Sequence, residues 1–273
     1  MGNESPLPSP LATPQPWSLV ADAYTAELLS QFELFARDAL RLAELPRSPR
    51  IVDVATGPGT LALIAAQDHG AQVSAIDFSP VMIEHLQRRA KQVRLASIDV
   101  RVGDGQALPF ADDAYDGAFS MFGLMFFPDR AAGFRELRRV LRPGRRAVVG
   151  SWAPLDGAFA LVMDGIRAML PDLPFGDGKG PLSDPEEFRA EMTAAGFRDA
   201  TVHTVTHPFS IPSLTEFWGV VQRTTAPVVL LRRKLGEERW ADVGRGVFDR
   251  LRSALGDGPV TVSGVARLGV GVK

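Results

Sequence analysis

Between residues 50 and 152 the chain alternates short β-rich runs with helical stretches, and this rhythm restricts the fold more than any other feature. The β-rich runs are 50–56 (RIVDVAT), 72–78 (QVSAIDF), 98–103 (IDVRVG), 115–122 (YDGAFSMF) and 145–152. Helical stretches fall between them at 60–68, from Ser79 to about Val93, and at 129–141. Gly70 stops the first. Ser79 is a suitable N-cap for the second, with Pro80 at its first helical position. Pro143-Gly144 ends the third. Strands separated by helices pair through crossovers, which predicts a mostly parallel sheet with helices on both faces.

The flanks carry further elements. Residues 1–16 hold five prolines and few apolar side chains, so they are predicted to be a disordered leader. A helical pattern follows over 19–45, with Leu28, Phe32, Phe35, Ala36, Ala39 and Leu40 on one face. Ser183-Asp184-Pro185-Glu186-Glu187 opens a helix that runs to Gly196, through a capping box from Ser183 to Glu186 or from Asp184 to Glu187. Residues 201–211 alternate as a strand. Ser213 and Glu216 form another capping box, opening helical pieces that reach about residue 255. Residues 260–272 read as the last strand, the seventh in all. The expected organisation is one domain over 17–273, with 213–256 a helical lid insertion.

Composition narrows the function. A net charge of −2 gives no basic excess for a polyanion, so no nucleic-acid partner is expected. The arginines at 138, 139, 142, 145 and 146 are broken by other residues and read as a solvated helix end. There is no Cys, which removes disulfides, thiolate metal sites and cysteine nucleophiles. The four His residues include no helical pair with metal-ligand spacing, so no metal site is expected; His85, in a helix rich in Gln and Arg, is expected to be exposed. No apolar run reaches the ~20 residues that span a bilayer. With no secretory pattern at the start, a cytoplasmic protein is expected. Nothing in the sequence decides for or against a homodimer.

The first strand runs straight into Asp53-Val54-Ala55-Thr56-Gly57-Pro58-Gly59-Thr60. Glycines there let a ligand approach the backbone while the next helix points its N-terminus at the same place. A dinucleotide site wants G-x-G-x-x-G. The third glycine is missing at that spacing, and Pro58 removes an N–H that a phosphate would use. Asp77 ends the second strand, where a nucleoside-binding sheet holds ribose hydroxyls with a carboxylate. That chemistry suits NAD and S-adenosylmethionine (SAM) alike.

Asp-x-x-x-Gly-x-Gly at a strand end resembles motif I of the class I SAM-dependent methyltransferases, and VDVATGPGTLAL resembles their UbiE-like branch, which methylates quinone precursors and other small molecules. The stretch 137–145 (LRRVLRPGR) is similar to that family's helix-to-strand turn. The likeness covers about residues 17–152 well and the rest weakly. It implies a Rossmann-like seven-stranded sheet, mostly parallel, with the last strand antiparallel. It implies SAM as cofactor, with Asp53, Ala55, Thr56, Gly57 and Gly59 about the methionine end and Asp77 on the ribose. Phe78 and Met82 would lie beside the adenine, and Gly103, Asp104, Gly105 and Gln106 would close its other side. The family's first glycine is Ala55 here; its methyl group is tolerated if the backbone is not left-handed.

Ser120, Met121 and Phe122 stand at the mouth of the fourth strand, where ligands sit in such sheets, although residues of this type are also ordinary core. The following segment is apolar and lacks the Asn/Asp-Pro-Pro-Tyr/Phe that polarises an amine. Oxygen or carbon methylation of a small apolar acceptor is therefore expected, such as a phenol, enol, quinone or polyketide-like metabolite. Trp17, Tyr24, Met125, Phe126 and Trp218 are candidate acceptor contacts. His203 and His207 are the candidates for a general base, against the ordinary alternative that each is structural. Two rival functions stand beside this one: an NAD(P)-dependent oxidoreductase, and a protein that binds SAM without turnover.

Overall fold

The computed structural model describes residues 9–95, 98–171 and 179–273. Seven strands form one sheet: β1 (Arg50–Val54), β2 (Gln72–Asp77), β3 (Ile98–Val102), β4 (Tyr115–Met121), β5 (Leu141–Trp152), β6 (Arg198–Ile211) and β7 (Val260–Val272). Their order is β3-β2-β1-β4-β5-β7-β6. The first five run parallel, and β7 inserts antiparallel between β5 and β6. The expected Rossmann-like architecture is thus the one observed. The order reverses between β1 and β4, and sheets of this kind bind ligands at the carboxyl ends of the strands beside such a reversal.

Alternation along β1 splits the core. Ile51 faces one layer, with helices α2 (Leu29–Leu42), α3 (Thr60–His69) and α4 (Pro80–Gln92); Val52 and Val54 face the other, with α5 (Arg130–Val140) and α7 (Pro185–Ala194). The caps are local chemistry: Ser79 Oγ accepts the Met82 N–H at 3.3 Å, Ser213 Oγ accepts that of Glu216 at 3.2 Å, and Asp184 accepts those of Glu186 and Glu187. Asp184 is therefore the cap of α7.

The arginines read as a solvated helix end are structural ties. Arg142 Nη1 lies 2.6 Å from Asp116, and Arg139 donates to Glu136, Asp112 and the carbonyls of Leu108 and Phe110.

The N-terminal part departs from expectation. Residues 1–8 of the expected leader lie outside the described residues, but Pro10–Ala12 form a 3-10 turn and Pro14 opens α1 (Pro14–Glu27). The stretch 19–45 is two helices that break at Leu28. Between β5 and α7 lies α6 (Gly157–Met169), where no helix was expected. Gly165 weakens the helical pattern, yet the lack of a side chain lets α10 (Glu237–Leu255) approach: a β-carbon on Gly165 would stand 3.2 Å from Val247.

With α8 (Leu214–Thr224) and α9 (Ala226–Leu235), helices α6 and α10 build a separate apolar cluster around Phe217, Trp218, Trp240 and Val247. This cap does not cover the sheet's carboxyl edge directly. It backs α1, to which it is tied by Arg223 and Glu27 at 2.8 Å, and α1 does the covering. On its other side α1 meets α4: Ser18 Oγ lies 2.9 Å from Ser79 Oγ. His85 is buried there rather than exposed, 2.9 Å from Asp22 Oδ1, within ion-pair distance but not aligned as a hydrogen bond.

Candidate cofactor and acceptor site

A cavity of about 280 Å³ opens where β1, β2, β3 and β4 end, roofed by α1 and the start of α2. Its floor begins with the turn after β1. Ala55, Gly57 and Gly59 all have left-handed backbones, at φ 55°, 55° and 81°. Gly57 borders the cavity, and a β-carbon added to it would meet nothing within 4 Å. Gly59 does not border it. A β-carbon there would lie 2.1 Å from Leu86 Cδ1, so this glycine serves the close packing of α3 against α4. Ala55 borders the cavity in the left-handed conformation that its methyl group was expected not to tolerate. The space is supplied by Gly123, whose missing side chain leaves room for the Ala55 β-carbon.

Two buried carboxylates stand over this turn. Asp77 Oδ2 accepts the Gly57 N–H at 2.8 Å, and Oδ1 accepts the Ser79 N–H at 2.9 Å. Burial pushes its pKa up to about 6, against the lowering effect of those two amides. Asp53 Oδ2 accepts the Thr56 hydroxyl at 2.7 Å. Burial pushes Asp53 up to about 7; the Thr56 hydroxyl and the Ala62 N–H offset part of this, and the Asp77 charge adds to it. Asp53 Oδ1 is buried without a hydrogen-bond partner among the described residues.

Gly103, Asp104, Gly105 and Gln106 form the wall at the end of β3, with Phe78 beside them. Asp104 is exposed and held by Gln106, whose backbone N–H and side-chain amide both donate to Oδ1, at 2.8 and 3.0 Å. Gln106 Oε1 in turn accepts the Asp129 N–H at 2.8 Å. Gly105 is needed for closeness: a β-carbon would stand 2.5 Å from Phe127 and 2.6 Å from Val54.

The roof is of another character. Trp17 packs on Phe126 with ring centroids 4.9 Å apart, and Tyr24 on Phe32 at 5.1 Å. Phe122 is stacked on Trp152 at 4.1 Å and met edge-on by Phe32 and Phe35. Its φ of 62° is a strained position for a bulky residue and is held by this aromatic packing.

Most of the expected site residues therefore share one cavity: Asp53, Ala55, Thr56, Gly57, Asp77, Phe78, Met82, the 103–106 turn, Met121 and Phe122, with Trp17, Tyr24 and Phe126 across from them. Other expected residues do not border it. Besides Gly59, Ser120 turns away, because its Oγ accepts the Leu124 N–H at 3.2 Å. Met125 lies on the back of its 3-10 turn (Leu124–Phe126), with its sulfur 3.6 Å from Ser151 Oγ. Trp218 belongs to the cap cluster, stacked 6.1 Å from Trp240.

His203 is exposed on the edge strand β6 beside Thr201. His207 Nε2 is paired with Asp38 Oδ2 at 2.6 Å, behind Phe35. Among the described residues no histidine borders the cavity. Phe32, Ala36, Phe127 and Ala12 border it without having been singled out as site residues. Phe32 had only its helical spacing to mark it, which equally describes core.

Sheet order and the carboxylates at its carboxyl edge place the chain in a class of α/β folds suited to binding nucleosides, and the comparisons with known proteins narrow this further. A family model described as a methyltransferase domain matches residues 51–144. An uncharacterized Mycobacterium tuberculosis protein is 41% identical over 124 residues, 45% of this chain and 44% of its own length. The chain thus spans less than half of that relative. The demethylmenaquinone methyltransferase of Thermus thermophilus is 37% identical over 176 residues, covering 59% of this chain and 80% of that one. The ubiquinone/menaquinone biosynthesis C-methyltransferase UbiE of Geobacter sulfurreducens is 31% identical over 61% of this chain and 71% of its own. The crystal structure of Bacillus subtilis YcgJ superposes with a TM-score of 0.59 at 19% identity, over 87% of this chain and 97% of that one, which is a likeness of fold. The chain belongs to the class I SAM-dependent methyltransferases, in their UbiE-like branch.

The residues present fit SAM. Asp53, whose Oδ1 is buried without a hydrogen-bond partner among the described residues, and Gly57, beside which a β-carbon would meet nothing within 4 Å, border the same cavity as Asp77.

Proposed function

We propose that this protein transfers a methyl group from SAM to an oxygen or carbon of a small, neutral, apolar acceptor. One observation carries the reading: the cavity has Asp53, Asp77 and Asp104 on its sheet side, an aromatic roof opposite, and, among the described residues, no Lys, Arg or His at its border. Carboxylates suit a cation and sugar hydroxyls. They repel a pyrophosphate, which disfavours NAD(P), and an acceptor carrying phosphate or carboxylate has no cationic partner here.

When bound, SAM supplies an electrophilic sulfonium methyl. The chain's own part is to hold and align. Asp77 would accept hydrogen bonds from the ribose hydroxyls, the 103–106 turn and Phe78 would enclose the adenine, and Asp53 with the Gly57 turn would face the methionine end. Trp17, Phe122 and Phe126 would exclude water and fix an apolar acceptor in line, which is the principal catalytic contribution an aligned site can make. A histidine base has no place in this scheme. The acceptor is therefore a group that loses its proton readily, such as a phenol, enol or quinol. Likeness to demethylmenaquinone methyltransferases supports a quinol-type carbon as the acceptor atom.

Calorimetry with SAM against NADH tests the cofactor. Incubation with methyl-labelled SAM and a panel of phenols, enols and quinols tests transfer. Tight SAM binding with no transfer to any of them would favour a non-catalytic SAM-binding protein.

A further inference from the structure

The segment before β1 contributes Ala12, Trp17, Tyr24, Phe32 and Ala36 to the cavity. Two of these five have polar side-chain atoms. The Trp17 indole N–H is already committed to the Leu11 carbonyl at 2.9 Å. The Tyr24 hydroxyl makes no hydrogen bond to any described residue. Its ring is fixed against Phe32, and Phe32 meets Phe122 at the strand mouth, so the phenol is held in place from below. Burial, with the Asp77 charge adding to it, pushes the phenol above its ordinary range, so its proton stays on. The roof therefore offers one free side-chain donor, set in an apolar aromatic wall.

We propose that Tyr24 is the specificity-determining residue for the acceptor, donating its phenolic hydrogen to an oxygen of the apolar molecule bound under the roof. This rests on the methyltransferase reading above and adds what that reading leaves open: the acceptor must carry an oxygen that faces α1. A wholly apolar molecule packed under the roof would cover the hydroxyl without giving it a partner, and a site built this way discriminates against it.

The test uses the full chain loaded with S-adenosylhomocysteine and two probes of matched shape, 1-naphthol and naphthalene, in wild type and Tyr24→Phe. Binding is read by fluorescence titration, and folding by melting temperature. The expected result is a wild type that prefers 1-naphthol about five- to tenfold, as one neutral hydrogen bond allows. Tyr24→Phe should lose that preference, with unchanged folding and with S-adenosylhomocysteine affinity within about twofold of wild type.

The proposal is overturned if Tyr24→Phe keeps the preference, or if the wild type shows none or binds neither probe. It is also overturned if the folded variant loses S-adenosylhomocysteine affinity, which assigns Tyr24 to the cofactor. A wild type that ignores S-adenosylhomocysteine altogether overturns the methyltransferase reading as well, so the two failures are distinct.

Discussion

The β-carbon of Ala55 fills the space that a side chain on Gly123 would need: a methyl built on Gly123 would stand 2.2 Å from it. Ala55 lies at φ 55°, where a β-carbon costs about 1–2 kcal/mol, whereas Gly123 has φ −104°, open to any residue. The two positions are thus one steric unit between the turn after β1 and the mouth of β4. Gly123→Ala is expected to destabilise by roughly 1–3 kcal/mol through overpacking. Ala55→Gly trades relief of strain against chain entropy and should change stability by less than about 1 kcal/mol. The double variant should recover most of the Gly123→Ala loss. A double-mutant cycle in urea checks this; simple additivity would show that the two β-carbons do not compete.

Gly57 separates binding from folding. A methyl group there meets no protein atom within 4 Å, so the folded state pays only the left-handed strain of about 1 kcal/mol. It would, however, project into the space assigned to the cofactor. Gly57→Ala is expected to melt within a few degrees of wild type while losing at least about tenfold in SAM affinity by calorimetry. Unchanged affinity would move the cofactor elsewhere.

Asp53 and Asp77 have folded-state pKa values raised to about 7 and about 6, so the folded protein holds protons there that the unfolded chain releases near pH 4. Stability from these groups is full below about pH 4 and is lost as pH rises toward about 7. Asp53→Asn, which cannot ionise, should gain on wild type across that window, seen as a growing difference in urea midpoint. A bound sulfonium favours the ionised carboxylates, so SAM binding near pH 6 should release protons, measurable as heats that vary with buffer ionisation enthalpy.

Trp218 and Trp17 should behave oppositely. Trp218 is buried in the cap, so Trp218→Ala is expected to cost about 3–5 kcal/mol and leave SAM affinity per folded molecule unchanged. Trp17 borders the cavity against Phe126, so Trp17→Ala should weaken retention of apolar probes such as 1-naphthol far more than it lowers the melting temperature. Denaturant titration beside probe binding compares them. Equal effects of both variants on probe binding would return Trp218 to the acceptor site.

What could be read from the chain was whatever neighbours within a few positions decide. Ser79 and Ser213 cap their helices through an N–H three residues on, and the apolar runs at β1, β2 and β4 are buried because strands inside a parallel sheet have both faces covered. Asp53, Asp77 and Asp104 come together because each ends or follows a strand of one parallel sheet, so strand order alone delivers them to one edge.

Side-chain direction and helix docking were decided only in three dimensions. Ser120 and Met121 are adjacent in sequence, yet one caps a turn and the other borders the cavity, since successive strand residues face opposite ways. Trp218 and Phe32 carry similar helical patterns; one is core of the cap and the other roof of the site, because α8 packs behind α1 while α2 crosses the sheet's edge. His207 was drawn from the site by Asp38, 169 positions away, a partner that no local pattern announces. Short-range hydrogen bonding and periodicity are written in consecutive residues, whereas contacts between distant segments depend on which faces meet when the whole core closes.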